Sequence, residues 1–372
     1  MKQYKYLYQK MLNRDLIREA YYRLRKGKTK RVEIKLIDAN LEEEIECMYQ
    51  MILNTKPVEV EHPELRYKPK HRTPKVIKEH GKERKIYMPE IHEQWLHHII
   101  ALILEPIITR TAYAYSCGSF PGRGAHYAKR RLEKWIRTED VRYFAKVDIR
   151  HFYDSIRHDV LMKELAIRIK DDWFLYIIKL CLKGFNRGIP LGFYISQWLA
   201  NYILEPLDYF ILGMGFKVFE RYMDDVVIMG SNKRKLRAAV VEIAKLLGRR
   251  FRLKLKRTYQ VAKFIYKGKG RPIDYMGFVF YRDRTIIRKR IMIAATRMAR
   301  KFVKRKRWYK SNMQAMISYI GWFSCTDSYN CYLERIKPFV NIGKLKMIIS
   351  RLDRKEKQDE RMEKRALCIQ AG

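Results

Sequence analysis

Acidic residues are scarce in this chain: 40 Asp and Glu stand against 80 Lys and Arg, leaving a formal charge of +40 over 372 residues. A compact particle with that excess repels itself, so the composition calls for a polyanionic partner. No apolar run approaches the length of a membrane-spanning helix, which sets the membrane aside as that partner. The opening MKQYKYLYQK has no apolar core behind its charges and does not read as a secretory leader. Cysteines are few, at 47, 117, 181, 325, 331 and 368, with no CxxC pair. Cys325 and Cys331 have no further ligands at zinc spacing. This excludes a disulfide scaffold and a zinc ribbon, and the expectation is reduced packing thiols in a cytoplasmic protein. No internal repeat or low-complexity block stands out.

Hydrophobic residues make up 47% of the chain, enough for a globular protein of two or three lobes. Arg and Lys alternate with aromatic rings, as in Tyr21–Arg25 and Arg305–Tyr309, a mixture suited to phosphates and bases. Periodicity predicts helices over 14–26, capped by Asn13, and over 40–53. A proline- and charge-rich loop follows, then a strand pair, Pro74–Ile77 and Arg84–Met88, turning at Gly81. A buried helix over 91–110 is expected to end near Pro106. The GSFPGRG loop, Gly118–Gly124, precedes an arginine-rich helix over 125–137. Beyond it the pattern reads strand 143–149, helix 158–183, helix 194–212, strand–turn–strand 216–230, helix 233–249, and strands near 251–262 and 273–281. That order suggests a mixed sheet backed by helices. Residues 291–349 read as basic helices, and the charged stretch from Arg351 as a fraying end.

The chemistry concentrates in Arg221-Tyr222-Met223-Asp224-Asp225-Val226-Val227-Ile228-Met229, two acids between apolar, β-branched strand runs. Carboxylates at a buried hairpin are costly unless a cation neutralises them. A further acid ends the strand Phe144-Ala145-Lys146-Val147-Asp148-Ile149. If the strands are neighbours, Asp148 and Asp224 can face one another and hold two divalent ions about 4 Å apart. Adjacent strand residues point opposite ways, so Asp225 is expected to be the more peripheral acid.

Tyr222-Met223-Asp224-Asp225 resembles the YxDD box of reverse transcriptases, and Asp148–Ile156 (DIRHFYDSI) resembles their first palm motif. Gly188–Gln197 (GIPLGFYISQ), continuing through Trp198–Asp208, is similar to the segment that holds the template base and incoming nucleotide. Ile273–Phe278 (IDYMGF) resembles the primer-grip hairpin. The likeness runs in order from about residue 70 to 330. It implies an α+β right-hand polymerase whose antiparallel palm sheet is backed by helices. The implied domains are an N-terminal basic helical extension (1–70), fingers (71–142), palm (143–285, with a fingers segment about 158–187), helical basic thumb (286–350) and charged tail (351–372). The implied cofactor is a pair of Mg²⁺ ions, with Mn²⁺ as a substitute, held by Asp148, Asp224, Asp225 and the backbone of Ile149.

The resemblance assigns further roles, each beside a plainer reading. Tyr153 matches the steric gate against a ribose 2′-hydroxyl, and is otherwise a core aromatic. Asp154 reads as a cap for the following helix. Gly188 and Gly192 let backbone approach substrate, or are turn glycines. Arg84 matches the arginine that clamps the triphosphate, a task suited to a guanidinium fork, or is a solvated strand charge. Lys75 and Lys78 are weaker candidates for that clamp. Lys256 stands for the lysine that protonates leaving pyrophosphate, with Lys254 and Arg257 as rivals. Leu191 and Gln197 line the nucleotide segment, and Tyr275, Met276 and Gly277 form the primer grip. Arg297, Arg300, Lys301, Lys304 and Arg305, with Lys306 and Arg307, match a thumb that follows duplex backbone by shape. Trp308, Trp322, His97 and His98 read as packing residues.

Many members carry Gln-Gly-x-x-x-Ser-Pro at the nucleotide segment. Here Leu191 replaces the glutamine and Gln197 the proline. With Ser116-Cys117 and the basic N-terminal helix, this variant resembles the reverse transcriptases of diversity-generating retroelements. That likeness implies error-prone, adenine-mutagenic copying of a template-repeat RNA. It also implies dNTPs, an RNA/cDNA duplex and an accessory variability protein, a basic helical homo-oligomer, as partners. A retron or antiphage-defence reverse transcriptase of ordinary fidelity is the alternative, and a catalytically silent RNA-binding scaffold the rival from another class. The length leaves no expectation of an RNase H, maturase or endonuclease extension.

Overall fold

The computed structural model describes residues 2–70, 73–79, 82–304 and 308–370. The chain divides into two compact units, one of residues 1–131 and 139–262, the other of residues 132–138 and 263–372.

The first unit opens with helices α1 (Leu7–Met11), α2 (Arg14–Arg25), α3 (Val32–Ala39) and α4 (Leu41–Asn54). Asn13 caps α2 as expected, its side chain accepting from the backbone N–H groups of Asp15 and Leu16. Strands β1 (Lys75–Glu79) and β2 (Lys82–Ile86) pair antiparallel; the turn at Gly81 lies outside the described residues. Helix α5 (Ile91–Thr111) runs on through Pro106 instead of ending there. Ile103, Leu104, Ile107 and Ile108 are all buried, and this burial on both sides of the proline outweighs one missing backbone hydrogen bond. Trp95 of α5 reaches α2, where its indole N–H donates to Ile17 O at 2.8 Å.

Strand β3 (Ser116–Cys117), helix α6 (Ala125–Thr138) and strand β4 (Tyr143–Asp148) follow, then helices α7 (Phe152–Ser155), α8 (His158–Arg168), α9 (Asp172–Cys181) and α10 (Tyr194–Gly213). The helix expected over 158–183 is therefore two. Tyr4 inserts between them by backbone hydrogen bonds to Arg168 and Lys170, and Asp171 caps α9. Strands β5 (Phe219–Tyr222) and β6 (Asp225–Gly230), helix α11 (Lys233–Phe251) and strand β7 (Gln260–Lys263) complete a five-stranded sheet in the order β3-β5-β6-β4-β7. Strand β3 runs parallel to β5, and β5–β6 and β6–β4 are antiparallel. No strand begins at 251: α11 continues to Phe251, Arg252 turns left-handed at φ +56°, and only then does the chain run beside β4. The buried faces of α5, α10 and the sheet share one apolar core. This is the mixed, helix-backed sheet expected from the sequence.

The second unit contains strands β8 (Ile273–Tyr275), β9 (Phe278–Phe280) and β10 (Thr285–Ile287), an antiparallel meander. Helices α12 (Lys289–Lys304), α13 (Lys310–Ser324), α14 (Tyr329–Arg335) and α15 (Ile342–Gln370) follow. The stretch from Arg351, expected to fray, continues α15. Phe302 and Trp308 pack edge to face, and Trp322 lies against Phe278, so both tryptophans are packing residues. No helix is long and apolar enough to cross a membrane among the described residues.

Candidate active site

The antiparallel register of β4 and β6 brings the acids together. Asp148 stands directly opposite Asp225, and the Ile149 N–H donates to Asp224 O at 3.4 Å. The register thus puts Asp225, expected to be peripheral, across from Asp148, while Asp224 occupies the turn. Burial pushes Asp224 up to about 6, and the nearby Asp148 charge adds to the shift. Burial likewise pushes Asp225 up to about 7, against the pull of Lys146.

Two lysines temper this crowding. The Lys256 ammonium donates to Asp148 Oδ2, and Lys146 lies 3.4 Å from Asp225 Oδ2. Among Lys254, Lys256 and Arg257, it is Lys256 that reaches the acids, because its N–H donates to Asp148 O at 2.8 Å and fixes the strand alongside. Asp148 Oδ1 is buried without a hydrogen-bond partner. Among the described residues, no three His, Cys, Asp or Glu side chains already form a metal cluster. A buried orphan carboxylate oxygen beside two further carboxylates of raised pKa is nonetheless a donor set that fits hard divalent cations.

A buried bracket, not anticipated from the sequence, holds the acid turn. Met223 is left-handed at φ +55°, and its N–H donates to Cys117 O at 3.1 Å. Arg221 Nη1 donates to Met223 O at 3.0 Å and to Asn201 Oδ1 at 3.2 Å. The rest of its fork meets Asp208 and the Ser116 hydroxyl, and Ser116 in turn donates to Asp208. Asn201 also donates to Gly118 O at 3.2 Å, and Ser119 donates to Gln197. The glycine loop, α10 and the acid turn are therefore joined by hydrogen bonds. The available signals were an arginine inside an apolar strand and an aspartate closing the apolar run WLANYILEPLD.

The Gly188–Gln197 segment is fixed from the β2 side. Tyr87 N–H donates to Leu191 O at 2.8 Å, and Gly192, at φ +105°, passes so close that a Cβ would lie 2.0 Å from Tyr87 O. A cleft of about 430 Å³ here is lined by Arg84, Asp154, Arg187, Gly188 and Leu191 among others. Gly188 packs on α7, where a Cβ would meet Tyr153 O at 3.0 Å. Burial, then the Asp224 charge, pushes the Tyr153 hydroxyl above its ordinary range, so it stays neutral; the charge of Arg84 is felt at both Tyr153 and Asp224. Lys75 is exposed on β1. Asp154 lies inside α7 and does not cap α8, whose N-cap is Arg157; the two-residue break between the helices puts the cap position beyond its reach.

The remaining candidates, His97 and His98 of α5 apart, belong to the second unit. Tyr275 ends β8 and Met276 and Gly277 form the turn to β9, with φ +52° at Met276 and +91° at Gly277, and Gly277 packs on Trp322. Arg297, Arg300, Lys301 and Lys304 are exposed on α12, opposite buried Ala295, Ala299 and Phe302. Arg305, Lys306 and Arg307 lie outside the described residues. His97 and His98 are buried, His97 tilted against Phe193 and His98 stacked on Tyr194, with burial lowering both pKa values, so they are core residues.

Residues 69–280 match the family described as "Reverse transcriptase (RNA-dependent DNA polymerase)". The chain belongs to the reverse transcriptase family. It is 31% identical over 146 residues to an uncharacterized 91 kDa protein in the cob intron of Schizosaccharomyces pombe, covering 37% of this chain and 18% of that one. It is 25% identical over 151 residues to protein YkfC of Escherichia coli, covering 37% and 39%. It is 28% identical over 150 residues to the group II intron-encoded protein LtrA of Lactococcus lactis, covering 38% and 24%. The chain thus spans less than half the length of each of these relatives. Among solved structures it is similar to telomerase from Candida albicans, solved with a fragment of telomeric RNA, at a TM-score of 0.47 and 11% identity, covering 73% of this chain and 55% of that one.

Proposed function

We propose that this reverse transcriptase is an RNA-directed DNA polymerase that makes error-prone, adenine-mutagenic cDNA from a template-repeat RNA of a diversity-generating retroelement. In this reading residues 71–142 serve as fingers, 143–285 as palm and 286–350 as thumb, preceded by a basic helical extension and followed by a charged tail. Asp148, Asp224 and Asp225, with the Ile149 carbonyl, would hold two Mg²⁺ ions, which lower the pKa of a primer hydroxyl and neutralise pyrophosphate charge. Lys256 supplies a proton from Nζ to the departing pyrophosphate. Tyr153 excludes a ribose 2′-hydroxyl, Arg84 grips the triphosphate with Lys75 near it, and Gln197 lines the nucleotide segment with Leu191 and Gly192. Tyr275, Met276 and Gly277 support the primer end, and the α12 cations follow the RNA/cDNA duplex. The setting is cytoplasmic, with an accessory variability protein, a basic helical homo-oligomer, as partner.

One observation carries the error-prone reading: the wall at position 191 is apolar, and its backbone is locked to Tyr87 at 2.8 Å. Leu191 offers no side-chain hydrogen bond to a correctly paired nucleotide. Discrimination lost at about 1–3 kcal/mol raises errors tenfold or more. The test is primer extension on an RNA template with magnesium and the accessory protein, comparing wild type with Asp224→Asn, followed by product sequencing. Extension abolished by Asp224→Asn, with errors opposite template adenines that fall in Leu191→Gln, is the expected result. Equal extension by both proteins overturns the polymerase reading. Faithful copying by wild type overturns the retroelement reading in favour of a retron or defence enzyme.

A further inference from the structure

The second unit carries a cationic hairpin that no role above uses. Residues 259–273 (TYQVAKFIYKGKGRPI runs 258–273) contain no acid. At the tip, Tyr266 and Lys269 exchange backbone hydrogen bonds of 2.9 and 3.0 Å. Lys267 and Gly268 between them take φ +48° and +77°, the doubly left-handed turn that closes a tight hairpin. Below the tip, Arg271 N–H donates to Lys263 O at 2.9 Å and Ile265 N–H to Arg271 O at 3.0 Å. Gly270, at φ +109°, keeps the two arms close: a Cβ there would lie 2.7 Å from Lys263 O.

The side chains are arranged in tiers. Phe264 is fully buried, and the Arg282 guanidinium lies 5.1 Å from its ring centre and 5.4 Å from that of Tyr266. A buried ring thus anchors an arginine that backs a second ring, and that second ring keeps 53% of its surface exposed. Lys263, Lys267, Lys269 and Arg271 are exposed around it. Among the described residues, the ion pairs of this unit use Asp283, Asp274 and Asp353, and none takes one of these four cations.

We infer that this hairpin grips a single-stranded nucleic acid, with an unpaired base stacked on Tyr266 and the flanking phosphates on Lys267, Lys269 and Arg271. Lysines alone would suit any polyanion. The exposed ring held by a cation adds a sequence-tolerant platform for a base face, and only an unpaired base offers that face freely. Template RNA and cDNA share this chemistry when unpaired.

The test measures binding by fluorescence anisotropy, with the full chain and no nucleotide, on oligouridine RNA, oligothymidine DNA and a blunt duplex across a salt series. Because no turnover is read, the result stands apart from the outcome of primer extension. Tyr266→Ala should weaken single-strand binding roughly tenfold and leave the duplex within about twofold, with Tyr266→Phe restoring the strand affinity. The Lys267→Ala/Lys269→Ala variant should lower the slope of log affinity against log salt by about 1.4, since each single-strand phosphate contact carries about 0.7. A 5-iodouracil strand should crosslink to Tyr266. Loss on the RNA or DNA arm supports the inference and identifies the strand. Wild-type affinity of Tyr266→Ala for both strands, or an equal loss on the duplex, overturns it, provided thermal melts show the variant folded.

Discussion

Arg221 and Asp208 form a two-pronged ion pair, 2.7 Å on each prong, with side chains only 1% and 0% exposed, beneath the turn that presents Asp224. A guanidinium fork matches a carboxylate in this way, and a lysine cannot. Arg221→Met leaves Asp208 buried and charged, and should cost about 3–5 kcal/mol in urea denaturation. Arg221→Met/Asp208→Leu should recover much of that stability but not primer extension, because the bond to Met223 O is still missing. Full recovery of extension by the double variant would show that the pair serves folding alone.

Raised carboxylate pKa values make metal-free stability depend on pH. The folded values near 6 for Asp224 and 7 for Asp225 exceed those of an unfolded chain. The native state therefore binds protons more tightly, and stability falls as pH rises from about 4 to 7. Asp225→Asn should raise the metal-free melting temperature at pH 8, flatten this dependence and abolish extension. Magnesium should raise the wild-type melting temperature and leave that of the variant much less changed.

Gly192→Ala brings a methyl group to 2.0 Å from Tyr87 O at a backbone φ of +105°. The β2 arm must then separate from the Gly188–Gln197 segment. A loss of about 1–3 kcal/mol is expected, with a larger proportional loss of extension. Melting curves and single-turnover incorporation together measure both.

Glu220, on the strand beside the acid turn, is fully buried, and neither carboxylate oxygen has a hydrogen-bond partner. Burial raises its pKa well above the ordinary carboxylate range. Glu220→Met should stabilise the protein by about 1–3 kcal/mol, and more at pH 8 than at pH 5, where the native side chain is protonated at little cost. Denaturant midpoints at the two pH values check the sign.

Legibility in the sequence followed locality. The apolar runs flanking Asp224 and Asp225 marked the hairpin, and Asn13 marked the start of α2, because each signal lies within a few residues of its effect. Pro106 misled for the same reason: its local cost is real, but the packing of Ile107 and Ile108 is tertiary. The Arg221 bracket was invisible because Ser116, Asn201, Asp208 and Arg221 lie up to 105 residues apart. Lys146 comes beside Asp225 only through the β4–β6 register, which no local pattern shows. Lys256 could be told from Lys254 and Arg257 only once the chain was seen to run along β4.

With the proposed metals, the lysines at Asp148 and Asp225 would make the acid cluster a small internal ion exchanger. Ammonium groups tethered to the fold supply part of the positive charge that divalent cations would otherwise have to provide during folding. Folding and the proposed metal loading would then be separate events in time. A chain built this way can fold where free divalent ions are scarce and load them later. If divalent cations bind as proposed, Asp148 would turn to them and release Lys256 Nζ beside the acids with a proton to give.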